Sequence, residues 1–445
     1  MTPRLIAGAA ATDITPTTSQ FLFGYPHVER LSSGVHDPLL SSAMYINDGQ
    51  REVLFIANDV IYVSKAVTRR VRERIGVECG IRPDGIMVTA THTHSGPVTV
   101  DCLFCQADPV VPKADPRYVQ RMEDGMVRAA MLARQSARPA ELGLAIADAT
   151  GIGTNRRDAA GPSDPHVPVL LARDAADGRL IAAMLVCSMH PTVLHEDSTL
   201  VSGDFPGLAR RHMQSQFLGD ACVVLHHTGP AGNQSPRYVV RGQTFAEAQR
   251  LGQILGDAVR RSCADVTWRN DIRLGCLQRY LDLVPRPMPS VAQAHAALNQ
   301  AAVRLAQLRS RGADRAMIRT AECDWFGAEE TLTLAQAAQD GRLEQARQSC
   351  LPAEVQAIAV GPWAFVGWPG EIFVEHSLAV KARRPDAFVI SLANGELQGY
   401  IATEAAQAEG GYEASNSLFA ASNGEVLVDS TLAMLADIAR EDLHS

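Results

Sequence analysis

Short apolar runs alternate with amphipathic stretches through the first half of the chain. Residues 51–58 (REVLFIAN), 85–90 (GIMVTA), 180–188 (LIAAMLVCS) and 221–225 (ACVVL) are apolar runs of strand length. Residues 65–77, 117–137 and 245–262 instead repeat their apolar positions at the helical period. The opening segment 1–16 (MTPRLIAGAAATDITP) reads as a first strand. Strands alternating with helices predict an α/β fold, with mixed β-sheets flanked by helices.

One stretch departs from that alternation. Residues 290–311 and 328–348 are rich in Ala, Gln, Leu and Arg, with apolar spacing near the helical period. They predict a helical pair, inserted at about 290–348 or packed on the flank. Strands return at 354–360 and 363–367 across the turn Gly361-Pro362, and again at 387–392, before a last helix over 424–438. A length of 445 residues suggests two or three domains by itself. No repeat or low-complexity linker divides the chain, so one catalytic domain over 1–445 is expected.

The ends of the strands carry the chemistry. The run 85–90 leads into Thr91–Pro97 (THTHSGP), 180–188 into Met189-His190-Pro191, and 221–225 into His226–Pro236 (HHTGPAGNQSP). The run 363–367 leads into Trp368-Pro369-Gly370-Glu371, and 387–392 into Ala393-Asn394-Gly395. Ligands of α/β sheets bind outside the carboxyl ends of strands, on loops that a rigid scaffold positions. Five loops of one design predict a shared pocket, with active-site loops at the strand C-terminal ends.

Composition narrows the class. The chain is 46% hydrophobic and 20% charged, with a net charge of -8. It has no basic footprint for nucleic acid or for an anionic membrane surface, so a small-molecule substrate is expected, without stable membrane association. Nine cysteines, an odd number without framework spacing, read as reduced thiols. With no export signal recognisable and no apolar run of membrane-spanning length, a cytoplasmic protein is expected. Homo-oligomerisation stays open.

Two imidazoles and a carboxylate from separate loops form a set that holds zinc and leaves a position for water. Isolated residues have plainer readings. Glu371 after Pro-Gly reads as a solvated carboxylate at a helix start, and Tyr412 as a packing residue. Ser235 is outside any G-x-S-x-G elbow. His195-Glu196 lacks the second histidine of H-E-x-x-H, because Thr199 stands there. Cys102-x-x-Cys105 lacks a second ligand pair. His226 and His227 read as core or backbone-bonded residues. His27 and His36 read equally as pocket lining or as solvated loop.

The string THTHSGP resembles a hallmark of the neutral/alkaline, non-lysosomal ceramidase family. Further elements follow in the family's order. They are Ala11–Pro16 (ATDITP), Thr154–Arg156 (TNR), His190–Thr192 (HPT), Ser202–Asp204 (SGD), Gly232–Pro236 (GNQSP), Pro369–Glu371 (PGE) and Tyr412–Ser415 (YEAS). The resemblance implies zinc held by His92, His190, Glu371 and Tyr412. It implies His94 as the proton-transfer residue and Arg156 as a group that holds substrate or oxyanion. Ser235 resembles the family's active-site serine, either a nucleophile or a hydrogen-bonding group for substrate or water. Family members cleave the amide of an N-acyl sphingoid base.

The sequence departs from the pattern at Asn233, where the family has Asp. It also ends soon after Tyr412, with no counterpart of a C-terminal immunoglobulin-like domain expected. A zinc-dependent hydrolase of a small soluble N-acyl or cyclic amide is therefore expected, rather than one of long-chain ceramide. A zinc esterase or lactonase, and a non-catalytic metal- or ligand-binding homologue, stay open as alternatives.

Overall fold

The computed structural model describes residues 5–444. Two sheets face each other, and helices cover their outer sides. The larger has eight strands, in the spatial order Val223–Thr228, Leu180–Cys187, His166–Asp174, Arg138–Asp148, Ile6–Asp13, Leu40–Asn47, Glu52–Asn58 and Ile86–Ala90. Its interior pairs are antiparallel, and both outermost pairs are parallel. The smaller sheet runs Leu274–Leu281, Ala353–Val360, Trp363–Gly367, Ala387–Ile390, with only its last pair parallel.

Residues facing between the sheets form one apolar core that includes Phe55, Met87, Met184, Ile358, Phe365 and Phe388. The Phe55 and Phe365 rings meet edge-on across it at 5.6 Å. Alternate residues of the same strands point outward, as a period of two requires. There they meet Pro116–Gln135 on one half of the large sheet and Asp204–Met213 with Phe245–Ser262 on the other. Val374–Arg383 and Asn423–His444 pack on the smaller sheet.

The curvature of the large sheet positions the site. Among the described residues its two halves are joined through Ile6↔Pro139 and Ala7↔Arg138, with Ala140 N donating to Leu5 O, so the sheet can bend there. The bend brings its opposite edges together: His227 Nδ1 lies 2.7 Å from Thr89 Oγ1, and Thr228 Oγ1 donates to Thr91 O at 2.8 Å. Loops that leave opposite edges of the sheet thus open onto one place.

The α/β architecture is as the alternation predicts, and the strand Trp363–Gly367 has the expected bounds. The opening strand covers Ile6–Asp13, and residues 1–4 of that expectation lie outside the described residues. The strand expected at 221–225 is Val223–Thr228, so His226 and His227 belong to it rather than to a loop. The insertion also differs. Its first helix is Val291–Ser310, started by a Ser290/Gln293 capping box. The second begins at Arg315 rather than 328, because Asp314 caps the amides of Ala316 and Met317. It stops at Gln339, and Gly341, at φ +82°, turns the chain into a third helix, Arg342–Cys350.

Candidate metal centre

The strand Ile86–Ala90 ends two residues before His92, whose φ is +67°. A histidine keeps that conformation only where its surroundings hold it. Here its amide donates to Val60 O at 2.9 Å, and its Nδ1 lies 3.0 Å from Ile61 O. His190 follows the strand Leu180–Cys187 and is pinned likewise, with Nδ1 2.6 Å from Ala231 O and 3.0 Å from Gln234 O. Glu371 follows Trp363–Gly367 through a turn at Gly370. There φ is +81° and a β-carbon would press into Leu397.

These groups meet with their unpinned atoms. Glu371 Oε2 lies 3.0 Å from His190 Nε2 and 3.3 Å from His92 Nε2, while Tyr62 donates its hydroxyl to Oε1 at 2.6 Å. All three residues are at least 95% buried. Burial, aided by Arg156, lowers the His190 ring to about 4.

That arrangement fits a cation. Backbone carbonyls require both Nδ1 atoms to donate, which leaves each Nε2 of a neutral ring as a bare lone pair. The two lone pairs therefore face a carboxylate oxygen with no proton between them. Tetrahedral zinc with bonds of about 2.0–2.1 Å spaces its ligand atoms about 3.3 Å apart. The separations here are 3.0 and 3.3 Å.

His94 adds a third imidazole. The ligand atoms of His92, His94 and His190 all lie within 4.8 Å of one another, a group able to hold a metal ion. His94 sits to one side, however. Its Nε2 is 3.3 Å from His92 Nε2, but its ring centre is 6.0 Å from that of His190, against 4.7 Å between His92 and His190. Among the described residues no backbone carbonyl pins it, and its buried Nδ1 has no hydrogen-bond partner. Burial, with the neighbouring His92 and His190 rings, keeps it neutral, well below the ordinary imidazole value. Gly24, at φ +122°, makes room for it: a β-carbon there would sit 2.3 Å from Nδ1.

The other expected residues surround the same opening. Tyr412 lines a small cavity with His92, His94 and Glu371, and burial holds its phenol well above the ordinary value. Arg156 and Ser235 line a larger cleft of about 1140 Å³ that also reaches His94 and Tyr412. Arg156 is locked by Glu413 Oε1 at 2.8 Å and the Tyr400 hydroxyl at 3.0 Å. Ser235 Oγ has one hydrogen-bond partner among the described residues, the Arg237 amide at 3.3 Å. Among the described residues no base hydrogen-bonds to it, as an activated nucleophile would require.

Several motif residues turn out to be braces. Ser202 Oγ donates to Asp37 Oδ1 at 2.5 Å, and Asp204 Oδ2 accepts from Leu194 N at 2.9 Å. Thr93 Oγ1 donates to Ser202 O at 2.8 Å. The SGD segment therefore ties the His92 loop to the His190 loop. Asn233 Oδ1 accepts from Val374 N at 3.1 Å, and its Nδ2 donates to Glu375 Oε2 at 2.7 Å. The Asn233 departure is thus matched by a nearby carboxylate, which an aspartate would repel. His226 and His227 are buried in their strand, and His36 stacks on Phe245 at 3.8 Å. His195 lines the larger cleft. Tyr62 and Glu330, both against the centre, were not singled out in the sequence; a lone Tyr or Glu carries no spacing signal.

The chain is similar to known proteins over much of its length. The family described as neutral/alkaline non-lysosomal ceramidase, N-terminal, matches residues 5–237. A neutral ceramidase of Mycobacterium tuberculosis is 25% identical over 260 residues, covering 52% of this chain and 40% of that protein. Neutral ceramidase 2 of Arabidopsis thaliana is 24% identical over 231 residues, covering 48% and 30%. These matches therefore span less than half the length of those relatives. The crystal structure of neutral ceramidase from Pseudomonas aeruginosa shares the fold, with a TM-score of 0.74 and 19% identity over 98% of this chain and 75% of that one.

Proposed function

The chain belongs to the neutral/alkaline non-lysosomal ceramidase family, and on that premise we propose that it is a zinc-dependent hydrolase of a small, polar carboxamide. The observation that carries the reading is the meeting of His92 Nε2, His190 Nε2 and Glu371 Oε2, with both Nδ1 atoms fixed to backbone carbonyls. We assign the cation to these three, with Tyr412 as the fourth holder. Two ring nitrogens with two oxygens suit zinc. Such a cation, when bound, polarises a carbonyl and acidifies water.

The chain's own groups do the rest. His94 shuttles the proton, because its ring is neutral and its tautomer is not fixed by the backbone. Arg156, rigidly held by Glu413 and Tyr400, holds the substrate's carbonyl side. Ser235 Oγ keeps hydrogen-bonding capacity at the cleft wall and positions the substrate.

The small cavity at the centre and the charged residues that stand among apolar ones such as Ile318 and Phe326 in the larger cleft support a small substrate with a polar group. Arg157, Glu196, Arg237, Arg319 and Glu322 face the larger cleft, and the small cavity has an acidic part. No helix among the described residues is long and apolar enough to cross a membrane. The test is kcat/KM across short N-acyl amines, cyclic amides, their ester counterparts and detergent-dispersed ceramide. A short amide is expected to be turned over best. Ceramide above about 10⁴ M⁻¹s⁻¹ with no soluble amide faster would overturn the substrate reading. Esters alone being cut would overturn the bond assignment.

A further inference from the structure

His92, His94, Glu371 and Tyr412 themselves line a cavity of about 50 Å³, which extends from the centre towards Glu330 and includes the cation's place. That is room for roughly three or four water-sized groups. Its sides include Phe23, Tyr62 and Phe104, and its acidic part is formed by Asp108, Glu329 and Glu330. Among the described residues no Lys or Arg lines it.

Two of the three acids are already engaged. Asp108 accepts from His27 N at 2.7 Å and from Val110 N at 3.0 Å. Glu329 pairs with His27 Nε2. Glu330 differs. Among the described residues neither of its oxygens has a hydrogen-bond partner, its Oε2 is closed off from solvent, and the residue is only 6% exposed. Burial, with Glu329 and Asp108 nearby, pushes its carboxyl well above the usual range.

The position of Glu330 is fixed. Its helix, Arg315–Gln339, is seated on the Tyr412 segment: Thr331 Oγ1 donates to Ser415 O at 2.9 Å. A β-carbon on Gly327 would lie 3.2 Å from Tyr412 Cα. An unpaired carboxyl buried against an aromatic-walled cavity is costly unless a donor completes it.

We propose that Glu330 is a specificity-determining residue: its carboxyl receives a hydrogen-bond-donating group of the substrate, an ammonium or a hydroxyl within a few bonds of the scissile amide. This rests on the amide-hydrolase reading above. It also explains why the cavity is short and acidic. A donor seated there satisfies Glu330, whereas a methyl of the same size leaves it stranded, a difference that sites built for a polar group turn into strong discrimination.

The test uses two isosteric trios. One is N-acetylethylenediamine, N-acetylethanolamine and N-acetylpropylamine. The other is the N-methylamides of 3-aminopropanoic, 3-hydroxypropanoic and butanoic acid. In one trio, wild-type kcat/KM for a donor-bearing member should exceed the methyl member by at least about tenfold. E330L should bring that ratio within about threefold while keeping wild-type metal content. E330Q should keep a hydroxyl preference but lose an ammonium one, which identifies the donor. No preference in either trio, or an E330L loss shared equally by all members, overturns the proposal. If no amide in either trio is cut, the hydrolase reading is judged by the wider amide and ester panel above, and binding of ethylammonium and ethanediol judges the cavity. Binding of either to wild type but not to E330L upholds the role of Glu330, and equal behaviour of the two proteins overturns it.

Discussion

Tyr62 donates its hydroxyl to Glu371 Oε1 at 2.6 Å, so that only Oε2 is left to face the His92 and His190 rings. A carboxylate gripped at one oxygen presents the other in a fixed direction. Partners of this kind typically carry 10–100-fold in metal affinity. Tyr62→Phe should therefore weaken zinc binding by about that factor with little change in fold. Competition with a chelator of known affinity, alongside far-ultraviolet circular dichroism, checks both parts.

His94→Ala should keep most of the metal and lose most of the turnover. The residue stands off the His92–His190–Glu371 triangle, and general acid–base groups contribute roughly 10²–10⁴ in rate. Metal content and kcat measured on the same preparation decide it. If His94→Ala loses metal as fully as His92→Ala, the residue is a ligand instead.

Arg156 and Glu413 form a buried pair at 2.8 Å, with Arg157 Nη1 a further 3.0 Å contact to the same carboxylate. Arg156→Met leaves Glu413 undercompensated and should cost roughly 3 kcal/mol of stability, the lower end for a broken buried pair because Arg157 remains. Adding Glu413→Gln should recover much of that stability but not the activity. Urea unfolding and kcat/KM separate the two effects.

Asn233→Asp would set a second carboxylate where Nδ2 now donates to Glu375 Oε2 at 2.7 Å. The expected loss is about 1–3 kcal/mol, from the unmade hydrogen bond and the like charges. Asn233→Asp with Glu375→Gln should restore stability. A single variant as stable as wild type would show that Glu375 does not fix the choice of Asn.

The chain announced its loops better than its sheets. The strands carrying His92, His190 and Glu371 are continuous apolar runs with Gly/Pro exits, and such runs are legible. Arg138–Asp148 and Leu274–Leu281 intersperse Glu, Gln and Arg with apolar residues, so their strand character depends on partners distant in sequence. The bend that unites opposite edges of the large sheet rests on a short junction between Leu5–Ala7 and Arg138–Ala140 among the described residues, which no local pattern encodes. Tyr62 and Glu330 were illegible for a similar reason. Each acts on residues far along the chain, and each alone looks like an ordinary core tyrosine or helix glutamate. Asn233 stood in the sequence only as a departure from the family's Asp, and Glu375, whose carboxylate it meets, is distant along the chain.

The most direct test of the account is the metal content of the protein purified without added metal, read by elemental analysis before and after a strong chelator, with amide hydrolysis followed on the same samples. The account predicts about one zinc per chain, activity lost with the metal and restored by zinc. Less than about a tenth of an equivalent, with hydrolysis undiminished by the chelator, would contradict it.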